Sequence, residues 1–211
     1  MKLIQRQGYL DFLRRNRNRP IVKVVSGIRR CGKSTLFRLF KDELLSEGVK
    51  PEQIISINFE ELEYEHLREY HALYQYILER MQPDEMNYIF LDEIQHVDQF
   101  HRVVDSLFVK ENTDLYITGS NAYFMSSDIA TLLTGRYVEI QMLPLSFSEF
   151  YHSKYDGNQY SLIPAYESYL RESSFPYTQQ LGGEDFDIQE YLRGLYNTLL
   201  LHDVVARLKI S

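Results

Sequence analysis

One cysteine, Cys31, in 211 residues excludes an internal disulfide framework and any multi-cysteine metal site, and it suits a cytoplasmic location. No apolar run approaches the roughly 18 to 20 residues that a membrane-spanning helix needs. Polar residues interrupt Met1-Lys2-Leu3-Ile4-Gln5-Arg6, so no secretory apolar segment is expected. Internal repeats and low-complexity tracts are also missing. What is present is ordinary for a globular chain. With 44% hydrophobic and 25% charged residues, there is enough for one substantial core, or for one domain and part of a second. That apolar fraction excludes wholesale disorder.

The net charge of −7 is unevenly spread. Residues 1–40 carry eleven Lys or Arg against one acid, Asp11, a local +10 that leaves −17 for the rest. An anionic ligand near the N-terminal end fits this division, whereas bulk attraction of the whole molecule to DNA does not. The run Arg14, Arg15, Arg17 and Arg19 reads two ways: as a solvated turn after a short helix, or as a phosphate or nucleic-acid contact.

Hydrophobic spacing alternates between the two periods. Ile4 to Arg15 is loosely helical, and Asn16 to Pro20 is a polar turn. Ile21 to Val25 is a short, β-branched, buried strand. A glycine-bracketed loop, Ser26 to Gly32, leads into a helical pattern over Ser34 to Leu45. Strands are expected at Ile54 to Phe59, Tyr88 to Leu91, Leu115 to Thr118 and Tyr137 to Met142. Helices are expected over His66 to Met81 and Phe100 to Val109, with a short one through Ile129 to Leu133. This order implies a five-stranded parallel sheet covered on both faces. After Pro144 the strand signal fades, and Phe147 to Tyr155, Pro164 to Leu170 and Ile188 to Leu208 read as helices. The expected division is therefore an α/β core over 1–143 and a smaller helical subdomain over 144–211.

Gly27-Ile28-Arg29-Arg30-Cys31-Gly32-Lys33-Ser34 fits the phosphate-loop pattern G-x-x-x-x-G-K-[ST], between a hydrophobic strand and a helix. Gly27 and Gly32 let the backbone turn so that successive N–H groups face a phosphate. The helix beginning near Lys33 adds unpaired N–H donors and its positive dipole end. Lys33 supplies charge to the β and γ phosphates, and Ser34 offers a hydroxyl to Mg2+; Thr35 completes the binding run. Tyr88 to Leu91 then places Asp92 at the carboxyl edge of a buried strand, where open α/β sheets bind ligands. Asp92 is the candidate carboxylate for Mg2+, and Glu93 the general base that polarises an attacking water.

The adjacent Asp-Glu favours hydrolysis of ATP over phosphoryl transfer to a small acceptor. The fourth strand ends in Thr118, Ser120 and Asn121; by resemblance to P-loop proteins with an added strand, it is the one inserted between the loop strand and the acidic strand, and its polar tip meets the γ-phosphate.

Four stretches carry a family likeness: Ser26 to Thr35, Phe90-Leu91-Asp92-Glu93-Ile94-Gln95, Ile117-Thr118-Gly119-Ser120-Asn121-Ala122, and Leu133-Thr134-Gly135-Arg136 with Leu143 to Phe150. Together they resemble the AAA superfamily, and within it a widespread group of prokaryotic AAA-type ATPases. The likeness continues through Tyr191 to Thr198 and Asp203 to Val205. It implies a three-layer P-loop NTPase of the additional-strand type, with ATP and Mg2+ as ligands. By resemblance, Lys33 is the phosphate lysine, Ser34 and Asp92 hold Mg2+, and Glu93 is the catalytic acid. Asn121 resembles the sensor that positions water and γ-phosphate, with Ser120 as its competitor. Arg136 occupies an arginine-finger position, although a surface arginine paired with a local carboxylate reads equally well there. Asn58 would restrain Glu93. Relatives of this group usually continue into a winged-helix-like and a nuclease-like region, so a truncated or naturally short chain is expected.

The function expected on these grounds is Mg2+-dependent hydrolysis of ATP to ADP and phosphate, coupled to a conformational change. The alternative is a slow or non-hydrolysing ATP-dependent switch acting through a protein or DNA partner. A homo-oligomer or protein partner and a local DNA contact through Arg14–Arg19 are the expected associations. The histidine pairs 66/71 and 96/101 are five apart, not the three or four of a helical metal pair. The tyrosine-rich stretch from Tyr151 to Tyr177 favours helix packing or a protein interface over base stacking.

Overall fold

The computed structural model describes residues 4–120, 133, 135–155, 160–181 and 185–199. Two compact units emerge. One comprises Arg6–Gly27 and Lys33–Met142, and the other Met1–Gln5, Ile28–Gly32 and Leu143–Ser211.

The first unit is built on β1 (Val22–Gly27), β2 (Ile54–Asn58), β3 (Asn87–Asp92), β4 (Thr113–Ser120) and β5 (Tyr137–Met142). All neighbouring pairs are parallel, in the order β2-β3-β4-β1-β5. β4 therefore lies between the loop strand and the acidic strand, as the resemblance implies. Every residue of β1 and β3 is buried, which explains why both read as continuous rather than alternating apolar runs.

Successive side chains of β3 serve opposite faces. Ile89 and Leu91 join a core with Leu73 and Ile77 of α3 (Tyr70–Leu78) and Val103, Val104 and Leu107 of α4 (Phe100–Phe108). Phe90 stacks on Tyr116 with ring centroids 4.6 Å apart, and meets Phe37 of α2 (Lys33–Ser46) edge-on at 5.2 Å. The sheet thus has a helix layer on each side.

α1 (Gln7–Asn16) lies beside α2. The Arg14 guanidinium donates to both Glu43 oxygens at 2.6 and 2.7 Å and to Asp11 at 2.7 Å. Arg17 pairs with Glu47. Two of the four arginines in the basic run therefore have carboxylates of their own chain as partners. Lys23, a cation inside an apolar strand, is fully buried against Asp114. Its ammonium also donates to Arg19 O at 2.8 Å, while Asp114 accepts from Asn18 N and the Tyr116 hydroxyl at 2.8 and 2.7 Å.

The predicted helix over His66 to Met81 is instead a 3-10 segment, Leu62–Leu67, followed by α3. Glu69 accounts for the break. Its backbone is extended and its carboxylate accepts the Ala72 N–H at 2.9 Å, so it caps a new helix rather than extending an old one. Those backbone bonds, to His71 and Ala72, hold its carboxyl below the usual range.

In the second unit, α5 (Phe147–Tyr155) begins with a reciprocal cap: Ser146 N donates to Glu149 Oε2 at 2.8 Å, and Glu149 N to Ser146 Oγ at 3.2 Å. Phe147 packs edge-on against Tyr166 and Tyr169 of α6 (Leu162–Glu172). Tyr155 stacks on Tyr160 at 4.4 Å. α7 (Asp185–Leu199) completes the described helices. The short helix expected through Ile129 to Leu133 falls outside the described residues except at Leu133.

Candidate functional site

β1 and β3 end at the same edge of the sheet, and the residues that follow them there form the candidate site. At the end of β3 the chain reverses sharply: Glu93 has φ 55 and ψ 49, a left-handed conformation that costs a non-glycine residue roughly 1–2 kcal/mol. A backbone outlier of this kind persists where the surroundings over-determine it. Here the Glu93 N–H donates to Thr118 Oγ1 at 2.9 Å, and the Thr118 hydroxyl donates to Asp92 Oδ1. Thr118 is fully buried and so locks both acids to β4.

Lys33 opens α2 on the other side of this cluster. Its ammonium is 3.0 Å from Glu93 Oε1 and donates to Gly27 O at 3.1 Å. Ser34, the next residue, donates its hydroxyl to the Asp92 carboxylate. Burial pushes Asp92 above the usual carboxylate range, and the Glu93 charge adds to this. The bonds from Ser34 and Thr118 and the charge of Lys33 pull the other way. Lys33, Ser34, Asp92 and Glu93 are thus brought together within the first unit.

The intervening residues, Ile28–Gly32, have their own geometry. Gly32 has φ 108, where an L side chain is strained, and Arg30 takes φ 65. Gly27, by contrast, stays in the last position of β1 and takes no left-handed turn. The Cys31 N–H donates to Ile28 O at 3.4 Å. The Arg30 guanidinium lies over the Tyr191 ring of α7, 5.9 Å from its centroid. Thr35 follows within α2 and is half-buried, as are Ile28 and Arg29.

Asn58 does not meet Glu93. Its amide donates to Glu61 Oε1 at 3.2 Å and its carbonyl accepts from Glu60 N at 3.1 Å, closing the turn after β2. Besides Lys33, Gln95 reaches Glu93: its Nε2 donates to Glu93 Oε2 at 2.5 Å. Gln95 is the residue here that sequence reasoning gave no role, and Thr118 was named at the site without its bonds to the two acids. Thr118 shows in the sequence as part of the polar strand tip expected at the γ-phosphate, and Gln95 as the last residue of the acidic-strand stretch that carries the family likeness.

Arg136 lies elsewhere. Its carbonyl accepts from Val22 N at 2.9 Å, which fixes it beside the start of β1. The phosphate-loop lysine follows the far end of that strand, about 17 Å away at 3.3 Å per residue. The Arg136 guanidinium is 3.6 Å from Asp105 and lies over the Phe108 ring at 5.4 Å. In its own subunit it does not reach the cluster. Asn121 lies outside the described residues, and of Ser120 only the backbone is described, paired in register with Gly27.

Hard oxygen donors suit Mg2+. Ser34 and Asp92 supply a hydroxyl and a carboxylate already in contact at the edge where Lys33 stands, so the residues fit the ion. No described helix is long and apolar enough to cross a membrane.

The AAA domain family matches this chain over residues 19–151. An uncharacterized protein of Haemophilus influenzae is 38% identical over 208 residues, 97% of this chain and 51% of the relative. The chain therefore spans about half the length of that relative. Among solved structures, the Walker-type ATPase of Pyrococcus abyssi has the same fold with a TM-score of 0.60 at 16% identity, covering 94% of this chain and 74% of that one. DnaA of Aquifex aeolicus, bound to AMPPCP, gives 0.54 at 11% identity, covering 95% of this chain and 65% of that one. A five-stranded sheet with β4 inserted, a phosphate-loop sequence over residues 27–34 and a match across most of the sheet lead to one conclusion: the chain belongs to the AAA domain family.

Proposed function

We propose that this chain binds ATP with Mg2+ and hydrolyses it to ADP and phosphate, coupling turnover to a conformational change. The observation that carries this reading is the cluster of Lys33, Ser34, Asp92 and Glu93 around the buried Thr118 at the carboxyl edge of β1, β3 and β4. Residues 27–35 would cradle the phosphates, with backbone N–H groups and the α2 dipole facing the anion. Ser34 and Asp92 would hold Mg2+, which neutralises charge on the β and γ phosphates when bound. A phosphate drawing Lys33 towards itself takes the cation off Glu93 Oε1. That oxygen then takes a proton from water as the water oxygen bonds the γ-phosphorus and the bond to the β–γ bridging oxygen breaks. General-base catalysis of this kind contributes about 10²–10⁴-fold.

A second reading, a slow ATP-dependent switch, is favoured by one observation. Both oxygens of Glu93 already have partners, Lys33 on one and Gln95 on the other. In this reading a partner must complete the site, through residues such as Asn121 or through Arg136 of a neighbouring copy. Because Arg136 stands at the opposite end of β1, we assign it to action in trans. Within the same proposal residues 144–211 are a helical subdomain, and the protein acts in the cytoplasm. A DNA contact would fall to the arginines of the basic turn that Glu43 and Glu47 leave available. Steady-state ATP hydrolysis across protein concentration, with and without duplex DNA, separates the readings. Glu93-dependent turnover that rises per subunit with concentration supports the ATPase. Tight binding without such turnover supports the switch.

A further inference from the structure

We propose that Gln95 is a positioning residue that aims Glu93 at the attacking water, a role resting on the hydrolytic reading above. The left-handed turn at Glu93 folds the chain into a short 3-10 segment, Ile94–His96, and brings the Gln95 amide back against the carboxylate it follows. The amide donates to Glu93 Oε2 at 2.5 Å, while Lys33 sits on Oε1. The two oxygens therefore have different partners. Lys33 is a cation that a phosphate would compete for. Gln95 is neutral and two residues away in the same chain, so nucleotide charge does not draw it off.

When Lys33 turns to phosphate, Gln95 keeps Oε2, so the carboxylate stays held from that side as the charge on Oε1 changes. A carboxylate held at one oxygen has its other oxygen fixed in direction, which is the orientation that general-base transfer requires. The other end of the amide supports this assignment. Gln95 Oε1 is buried with no hydrogen-bond partner among the described residues. An unsatisfied buried carbonyl is costly. The protein tolerates it here, and the hydrogen bond that places this amide is the one to Glu93.

The test is single-turnover ATP hydrolysis with the full chain in excess, so that slow chemistry is still read. It compares wild type, Glu93→Gln, Gln95→Ala and Gln95→Met, with ATP affinity measured alongside. Gln95→Met keeps the side-chain length and loses the donor, and so covers the case in which the alanine variant folds poorly. The expected result is a fall in the hydrolysis rate of roughly 10- to 100-fold for both Gln95 variants, with ATP affinity within about twofold of wild type. A rate equal to wild type, a faster rate, or a parallel loss of ATP affinity would each overturn the proposal. Glu93-dependent turnover that ignores Gln95 sinks this inference alone. Turnover that ignores Glu93→Gln sinks the hydrolytic reading and this inference with it.

Discussion

Lys23 and Lys33 each meet a buried carboxylate on the same sheet, the first near the start of β1 and the second just past its end. Lys23 and Asp114 are both fully buried, and the pair is closed. A backbone carbonyl, a backbone N–H and a tyrosine hydroxyl complete it. Burial still lowers the Lys23 ammonium below the usual lysine range, against the raising effect of Asp114. Lys33 and Glu93 retain a little exposure, 3% and 8%. Glu93 stands on a strained turn, and burial raises the Asp92 carboxyl beside it. A closed pair pins the turn at residues 16–20 to β4 and has nothing to exchange. A pair at the ligand edge can be broken by an incoming anion, and its strain suits work rather than stability.

The same substitution at the two lysines should therefore have opposite consequences. Lys33→Ala is expected to abolish ATP binding, measured by titration calorimetry, while lowering stability by no more than about 2 kcal/mol. Lys23→Ala leaves the Asp114 charge buried and uncompensated, and should cost about 3–5 kcal/mol in denaturant unfolding. ATP binding by whatever Lys23→Ala remains folded should be normal. If Lys33→Ala were the more destabilising change, the contrast would fail.

Thr118→Val sharpens the contrast, because it keeps the shape and removes the hydroxyl that joins Asp92 to the Glu93 N–H. It should cost about 1–3 kcal/mol of stability and reduce hydrolysis at saturating ATP, so one residue at the ligand edge serves both ends. A change in stability alone would reassign Thr118 to packing. The smallest effect is expected of Arg136→Ala. Its half-exposed pair with Asp105 should be worth less than about 1 kcal/mol, with hydrolysis lost only at concentrations where copies associate. A loss of turnover already present at high dilution would contradict action in trans.

The sheet was legible because its signals are local: apolar runs of strand length, glycines bracketing a loop, and acids at a strand end. The insertion of β4 was not legible from the order of these signals; it came from the resemblance to P-loop proteins with an added strand, and the sheet order bears it out. Lys23 was not, since its partner lies 91 residues away and nothing near it in sequence explains a cation in an apolar strand. The break at Glu69 was missed because an N-cap glutamate looks like any helical glutamate. Lys33, Ser34, Asp92 and Glu93 were named from their motifs, and the fold brings those four together. What escaped was the geometry of the turn after Asp92. A left-handed glutamate has no sequence signature, and without it neither the reach of Gln95 nor the freedom of Asn58 to bond elsewhere can be inferred.

The central claim is that Lys33 binds the nucleotide while Glu93 acts on it, and one experiment tests it most directly. ATP affinity and phosphate release are measured together for wild type, Lys33→Ala and Glu93→Gln. The account predicts that Lys33→Ala loses binding, and that Glu93→Gln binds ATP like wild type but releases phosphate about 10²–10⁴-fold more slowly. An equal loss of ATP affinity in both variants would contradict it.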